Sequence, residues 1–284
     1  MKSFVFIALL LGLGIPARVL GQNFAAGASA LADRDAVMVT FEPAGMNRPE
    51  PALRPVDNLP VLSAEDALST YEIRAAAQSS QLASYSAVSV IRAELPDTAQ
   101  HGEFEVERKY AAPRTLLFKP IRFVGDKFVK SNIITRILQS EVDHVQKDDA
   151  TLTAVNSSNY KFSYKGHADL DGRDVHQYAV KPRKKRPGLF KGKLYLDAHN
   201  GNLVRVEGNI VKSPSFFVKH VQFVQDYAEF EHFVLPVHNH TEAQARIVGR
   251  TIVDITYTDY HPIPATVQAL IPTMQRACGL ATPP

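Results

Sequence analysis

Between Asn159 and Tyr260 the chain alternates apolar and polar side chains in six or seven short segments, each closed by a turn signal. Val204, Val206 and Ile210 fall on one side of such a segment, and Arg205, Glu207 and Asn209 on the other. Val253, Ile255 and Tyr257 oppose Asp254, Thr256 and Thr258 in the same way. A period of two puts one set on a core face and the other in water. Asp171-Gly172, Pro187-Gly188 and Asn200-Gly201 punctuate the run, since such dipeptides supply the positive or fixed φ of tight connections. The pattern predicts one long antiparallel meander. A sheet of this length with one apolar face must close, fold over or hold something, which favours a binding protein over an enzyme.

The chain before the meander adds two helices and more strands. Ser63-Ala-Glu-Asp66 has the form of a capping box. Leu68, Tyr71, Ala75 and Leu82 follow on one stripe, predicting a helix to about Leu82. Phe104, Val106 and Tyr110 alternate with Glu103, Glu105, Glu107 and Lys109, a half-buried strand. Residues 116–124 form another, and Pro120 within it marks an edge or a bulge. A second amphipathic helix is expected from Ser131 to about Lys147, with Ile133, Ile134, Ile137, Leu138, Val142 and Val145 as its apolar stripe.

Helices gathered on one face of an antiparallel sheet make an α+β domain. The expected architecture is a curved antiparallel sheet forming an incomplete β-barrel, with about two helices in its concave face. Phe216-Phe217-Val218 and Val221-x-Phe223-Val224 are apolar on both sides of one segment, so that strand is expected to be covered on both faces. Two helices are too few to seal about ten strands, which leaves apolar volume in the concave face.

Lys2 precedes an apolar run from Phe4 to Ile15, and short residues follow at Gly21. This predicts a signal peptide over residues 1–21, cut near Gly21, and a periplasmic destination. The run is shorter than a bilayer span. Residues 22–62 carry five spread prolines and read as an extended lead-in. The domain proper is expected over 63–262 and a flexible tail over 263–284. Cys278 is the only cysteine, so no intrachain disulfide forms and no thiol beside the cleavage site accepts a lipid. A net charge of +3 is too weak to argue for a nucleic-acid partner.

Several stretches together resemble one family. They are Tyr160-Lys-Phe-Ser-Tyr-Lys-Gly166, Leu170-Asp-Gly-Arg-Asp174, Tyr178-Ala-Val-Lys-Pro182 and Phe190-Lys-Gly-Lys-Leu-Tyr-Leu-Asp197. Pro214-Ser-Phe-Phe-Val-Lys-His220 and Ile255-Thr-Tyr-Thr-Asp-Tyr260 belong with them. In strand texture and turn spacing they resemble the outer-membrane lipoprotein-sorting (LolA-like) superfamily, which includes the sensor domain related to RseB. The resemblance covers roughly residues 65–260. It implies a half-barrel whose periplasmic apolar cavity holds acyl chains of a lipid or lipoprotein.

Candidate sites follow from these readings. Phe104, Val106 and Tyr110 are the expected sheet side of the cavity, and Ile133, Ile137 and Leu138 the helix side; ordinary packed core is the alternative for each. Arg183, Lys184, Lys185 and Arg186 form the strongest charge cluster, a solvated loop or a contact for anionic lipid or an envelope protein partner. His238 and His240 are two apart and share a strand face, but two ligands are not a metal site, so no metal is assigned. Asp169-Leu-Asp171-Gly172 lacks the glycine and glutamate positions of a calcium loop. The chain shows no nucleophile elbow and no phosphate-binding glycine loop. The reading is therefore a non-enzymatic carrier without cofactor. The other reading is an envelope sensor or adaptor that binds a protein partner through its sheet edge or N-terminal arm.

Overall fold

The computed structural model describes residues 60–147, 150–212, 218–246 and 248–265. The expected signal peptide, most of the lead-in, most of the expected tail with Cys278, and Phe216 and Phe217 lie outside the described residues. Helix α1, Ala64–Gln81, starts where its capping box predicts: the Ser63 side chain accepts from the Asp66 backbone N–H at 3.1 Å. Strands β1, Leu82–Leu95, β2, Gln100–Ala111, and β3, Thr115–Gly125, follow. The second helix, α2, spans residues 127–147. It opens with an α turn Lys127–Val129, passes through a π turn Lys130–Ile134 and continues as an α-helix Thr135–Lys147. It begins four residues earlier than its apolar stripe suggested, and this brings Val129 onto the buried side.

Seven strands complete the domain: β4, Tyr160–Leu170; β5, Arg173–Pro182; β6, Phe190–Asp197; β7, Leu203–Ile210; β8, Val218–Phe230; β9, Phe233–Ala245; and β10, Gly249–Pro264. All ten form one antiparallel sheet in the order β3-β2-β1-β10-β9-β8-β7-β6-β5-β4. The return of β10 to lie against β1 is the one long-range join, and it makes the two blocks a single sheet. Asp171 and Gly172 both take positive φ in the β4–β5 turn, as a two-residue hairpin requires. Pro120 lies in the edge strand β3, opposite a register shift at Glu105/Val106. Both features expected of that proline are present.

The sheet is not closed into a barrel: β3 and β4 are its two free edges among the described residues. Register shifts in the β1–β10, β2–β3, β4–β5, β6–β7 and β8–β9 pairs bend it, since each extra residue kinks its strand and raises the local twist. Both helices lie on the same face. Val221 and Phe223, two apart on β8, point the same way; Val221 joins the cluster under α2 and Phe223 the cluster under α1. The two helices thus cover opposite ends of one concave surface.

One expectation needs correction. The β8 strand alternates instead of being covered on both faces: Val218, Val221 and Phe223 are buried, whereas Val224 is only half-buried and His220 is exposed. Val224 stands beside His240 of β9, on an outer face that no second layer covers among the described residues.

Candidate functional site: the concave face under α2

The two helices are attached differently. α1 is pinned by directional bonds along its length. Gln78 Nε2 donates to the Val234 carbonyl at 3.0 Å, and the Val234 N–H donates to Gln78 Oε1 at 2.7 Å. Tyr71 Oη donates to the Val155 carbonyl at 2.9 Å, Tyr178 Oη to the Ala64 carbonyl at 2.5 Å, and Arg74 Nη1 to Asn202 Oδ1 at 2.6 Å. Just before the helix, the Leu62 N–H donates to the Ala198 carbonyl at 2.8 Å. The seated face of α2 is instead greasy: Val129, Ile133, Ile134, Ile137 and Leu138 are buried in one cluster with side chains of β1, β2, β8, β9 and β10. Its directional contacts include Arg114 Nη1 to the Gln146 carbonyl at 2.9 Å.

The residues expected to line a cavity come together here. Phe104, Val106, Ile133, Ile137 and Leu138 belong to one buried cluster. Tyr110 is buried next to it, stacked on Tyr85 with ring centroids 5.3 Å apart. In this arrangement they meet the protein's own side chains. Lys130 of α2 sits over the rings of Phe104 and Phe123, at 5.2 and 4.7 Å from their centroids. Phe128 at the start of α2 and Ile121 of edge strand β3 are exposed, as is Val124, which stands opposite Glu103 on the outer face of the sheet.

A buried ion pair lies in the middle of this greasy contact. Arg108 of β2 is 2% exposed and Glu141 of α2 is 7% exposed. Arg108 Nη1 and Glu141 Oε2 are 2.5 Å apart. Ala87 stands directly opposite Arg108 on β1, and its short side chain lets the guanidinium lie across the strand. Arg108 Nε reaches Tyr85 Oη at 3.0 Å, and the guanidinium stands 5.3 Å from the Phe118 ring and 5.7 Å from that of Tyr257. Burial opposes the charge of Arg108, but Glu141 and the surrounding phenols outweigh it and raise its pKa further. Burial likewise pushes the Tyr110, Tyr257 and Tyr260 phenols above their ordinary range, so these hydroxyls keep their protons. Tyr260 Oη spends its own on the Pro236 carbonyl at 2.8 Å. Tyr110 Oη and Ser89 Oγ are buried without a hydrogen-bond partner among the described residues.

Neither member of this pair was among the expected site residues. The signal was present in the alternation, because Arg108 occupies the apolar register of Phe104, Val106 and Tyr110. Glu141 interrupts the apolar stripe of α2 between Leu138 and Val145.

The basic cluster occupies the β5–β6 turn. Lys184 and Lys185 are exposed and Arg186 is half-buried. Arg183 braces the local backbone, because its Nε donates to the carbonyls of Ser157 and Tyr160 at 2.8 and 3.1 Å. His238 and His240 point from the outer face of β9 into a ladder of carboxylates. Asp254 Oδ1 accepts from His240 Nδ1 at 2.7 Å and lies 3.6 Å from His238 Nε2. Asp226 faces His238, and Glu242 faces His240. Among the described residues no group of three or more histidine, cysteine or carboxylate side chains is arranged to hold a metal ion.

A family model described as a family of unknown function (DUF5686) matches residues 152–261. The chain matches no curated protein. Among solved structures it is similar to a putative outer membrane lipoprotein-sorting protein domain from Vibrio parahaemolyticus, at 12% identity and TM-score 0.41, over 70% of this chain and 93% of that one. A LolA superfamily protein from Nitrosomonas europaea is similar at 10% identity and TM-score 0.34, over 72% and 97%. The Pseudomonas aeruginosa MucA/MucB complex gives a match at 12% identity and TM-score 0.23, over 69% and 99%. These include the lipoprotein-sorting group that the strand texture resembles.

Proposed function

We propose that the protein is a periplasmic carrier that holds acyl chains of a lipid or lipoprotein between the concave sheet and α2. The difference between the two helices carries this reading. α1 is fixed by geometry-dependent hydrogen bonds, which an acyl chain cannot replace. Apart from Glu141, the underside of α2 is apolar, and apolar contact has no directional requirement. A greasy guest can take its place. Five buried aliphatic side chains at about 1.5–3 kcal/mol each amount to about 8–15 kcal/mol of gross contact. An acyl chain burying about fourteen methylenes at ~0.8 kcal/mol each brings about 11 kcal/mol. The two are of one size, and separating the Arg108–Glu141 pair is a further cost that the guest has to meet when α2 is lifted. Phe104, Val106 and Tyr110 then form the floor of the site, and Ile133, Ile137 and Leu138 its displaced roof. Lys184 and Lys185 suit an approach to anionic head groups, at roughly 1 kcal/mol per charge near the surface.

Native mass spectrometry of the purified full chain, with displacement of a fluorescent acyl probe, tests this. Stoichiometric bound lipid or probe is expected, with faster amide exchange in α2 than in α1 and a change confined to α2 on loading. A chain that carries nothing and takes up no probe refutes it.

The second reading, contact with a protein partner, draws on edge strand β3. Leu117, Ile121 and Val124 are exposed there, but Pro120 and the bulge beside it spoil the strand as a template for backbone pairing. A partner at this edge would meet side chains. Leu117→Asp with Val124→Asp should then abolish capture by that partner and leave acyl binding intact.

A further inference from the structure

We propose that Arg108 is the receptor for the carboxylate of a fatty-acid ligand, and that Glu141 fills that place as an internal stand-in while α2 is seated. This rests on the carrier reading and names the head group that the site selects. The guanidinium is at the sheet side of the contact, at an inward position of β2 between Val106 and Tyr110. Its counter-ion belongs to α2, the element that a guest must lift. When α2 leaves, Glu141 leaves with it, and Arg108 remains as a cation within an apolar floor. A guanidinium cannot shed its proton to escape that cost, so the loaded state favours a guest that brings its own negative charge.

The surroundings fit a carboxylate better than a bulkier anion. The slot is walled by Tyr85, Phe118 and Tyr257 and already accommodates one carboxylate, that of Glu141. Arg108 meets Glu141 Oε2 through Nη1 and Tyr85 Oη through Nε. Tyr110 Oη, stacked against the Tyr85 that Arg108 touches, has no partner among the described residues. Neither has Ser89 Oγ, which lies on β1 between Val106 and Tyr257. Buried hydroxyls without partners are uncommon, because each forfeits the hydrogen bonds it had in water. A carboxylate on Arg108 has lone pairs left for such donors.

The test compares hexadecanoate with hexadecanol, two ligands of one chain length, by displacement of a fluorescent acyl probe from the full chain at pH 8. Wild type is expected to bind the acid at least about tenfold more tightly than the alcohol, the scale of a charge-assisted hydrogen bond. Arg108→Met should bring that ratio close to one and leave hexadecanol binding as tight as in wild type or tighter. Tyr110→Phe, a change that leaves packing in place, should reduce the ratio severalfold. Glu141→Gln acts only on the seated state and should tighten both ligands by a similar factor. Circular dichroism verifies that each variant is folded. A wild-type ratio near one overturns the proposal while leaving the carrier intact, and so does a ratio that Arg108→Met and Tyr110→Phe both leave unchanged. Failure to bind either ligand overturns the carrier reading and this one with it.

Discussion

Splitting the Arg108–Glu141 pair should destabilise the protein in two different ways, depending on which partner is lost. The side chains are 3% and 8% exposed, so either charge left alone is cut off from water. Arg108→Met strands a carboxylate, which escapes by taking up a proton. Protonating an ordinary glutamate costs about 3.7 kcal/mol at pH 7 and about 1 kcal/mol at pH 5. In that variant the folded state binds the proton more tightly than the unfolded chain, so its stability relative to wild type rises as pH falls. Glu141→Leu strands a guanidinium, which stays charged across this range. Its cost should be about 3–5 kcal/mol and the same at both pH values. The double variant removes both charges and fills the space with apolar side chains, so it should lie within about 1 kcal/mol of wild type or above it. Urea unfolding at pH 5 and pH 7, with linear extrapolation, reads all four proteins. Two single variants within about 1 kcal/mol of wild type would show that α2 is not seated with this pair desolvated. A pH-independent Arg108→Met would refute the escape by protonation.

Other substitutions probe the remaining parts. Tyr110→Phe deletes a buried hydroxyl that has no partner among the described residues and should be neutral or stabilising by up to ~1 kcal/mol. Tyr71→Phe breaks the bond to the Val155 carbonyl and should cost about 1 kcal/mol, both read by urea unfolding. Ser63→Ala removes the cap on α1 and should cost about 1 kcal/mol, or about 2–4 °C in Tm by calorimetry. Gly192→Ala sets a methyl group against the backbone of Glu207 and Gly208 on the facing strand, and should reduce the yield of folded protein. Burial alone would lower the His240 pKa, but Asp254 and Glu242 more than offset this and raise it. Its stabilising effect is therefore full below the ordinary histidine range and disappears as pH rises through the raised value. His240→Gln should lower Tm at pH 5.5 and leave it unchanged at pH 9, by a small margin because the imidazole is partly solvated.

What the amino-acid order determined by itself is the local structure. The period of two fixed which side of each strand is greasy, as in Phe104, Val106 and Tyr110 against their glutamates. The Ser63 cap, the Asp171-Gly172 hairpin and the interruption at Pro120 were legible for the same reason: each is a backbone constraint set within a few residues. The membership of the concave cluster could also be read, since Ile133, Ile137 and Leu138 show their helical stripe regardless of what they touch. The early start of α2 was not legible, because its π turn brings Val129 under the helix only once a sheet is there to bury it. The joining of β1 to β10 bridges more than 150 residues and depends on which edges meet after both blocks have folded. The unequal attachment of the helices was hidden too: Gln78 finds the Val234 backbone and Glu141 finds Arg108 only across the finished concave face. A charge in an apolar register announces that a partner exists, but hydrogen-bond geometry between distant segments decides which partner it is.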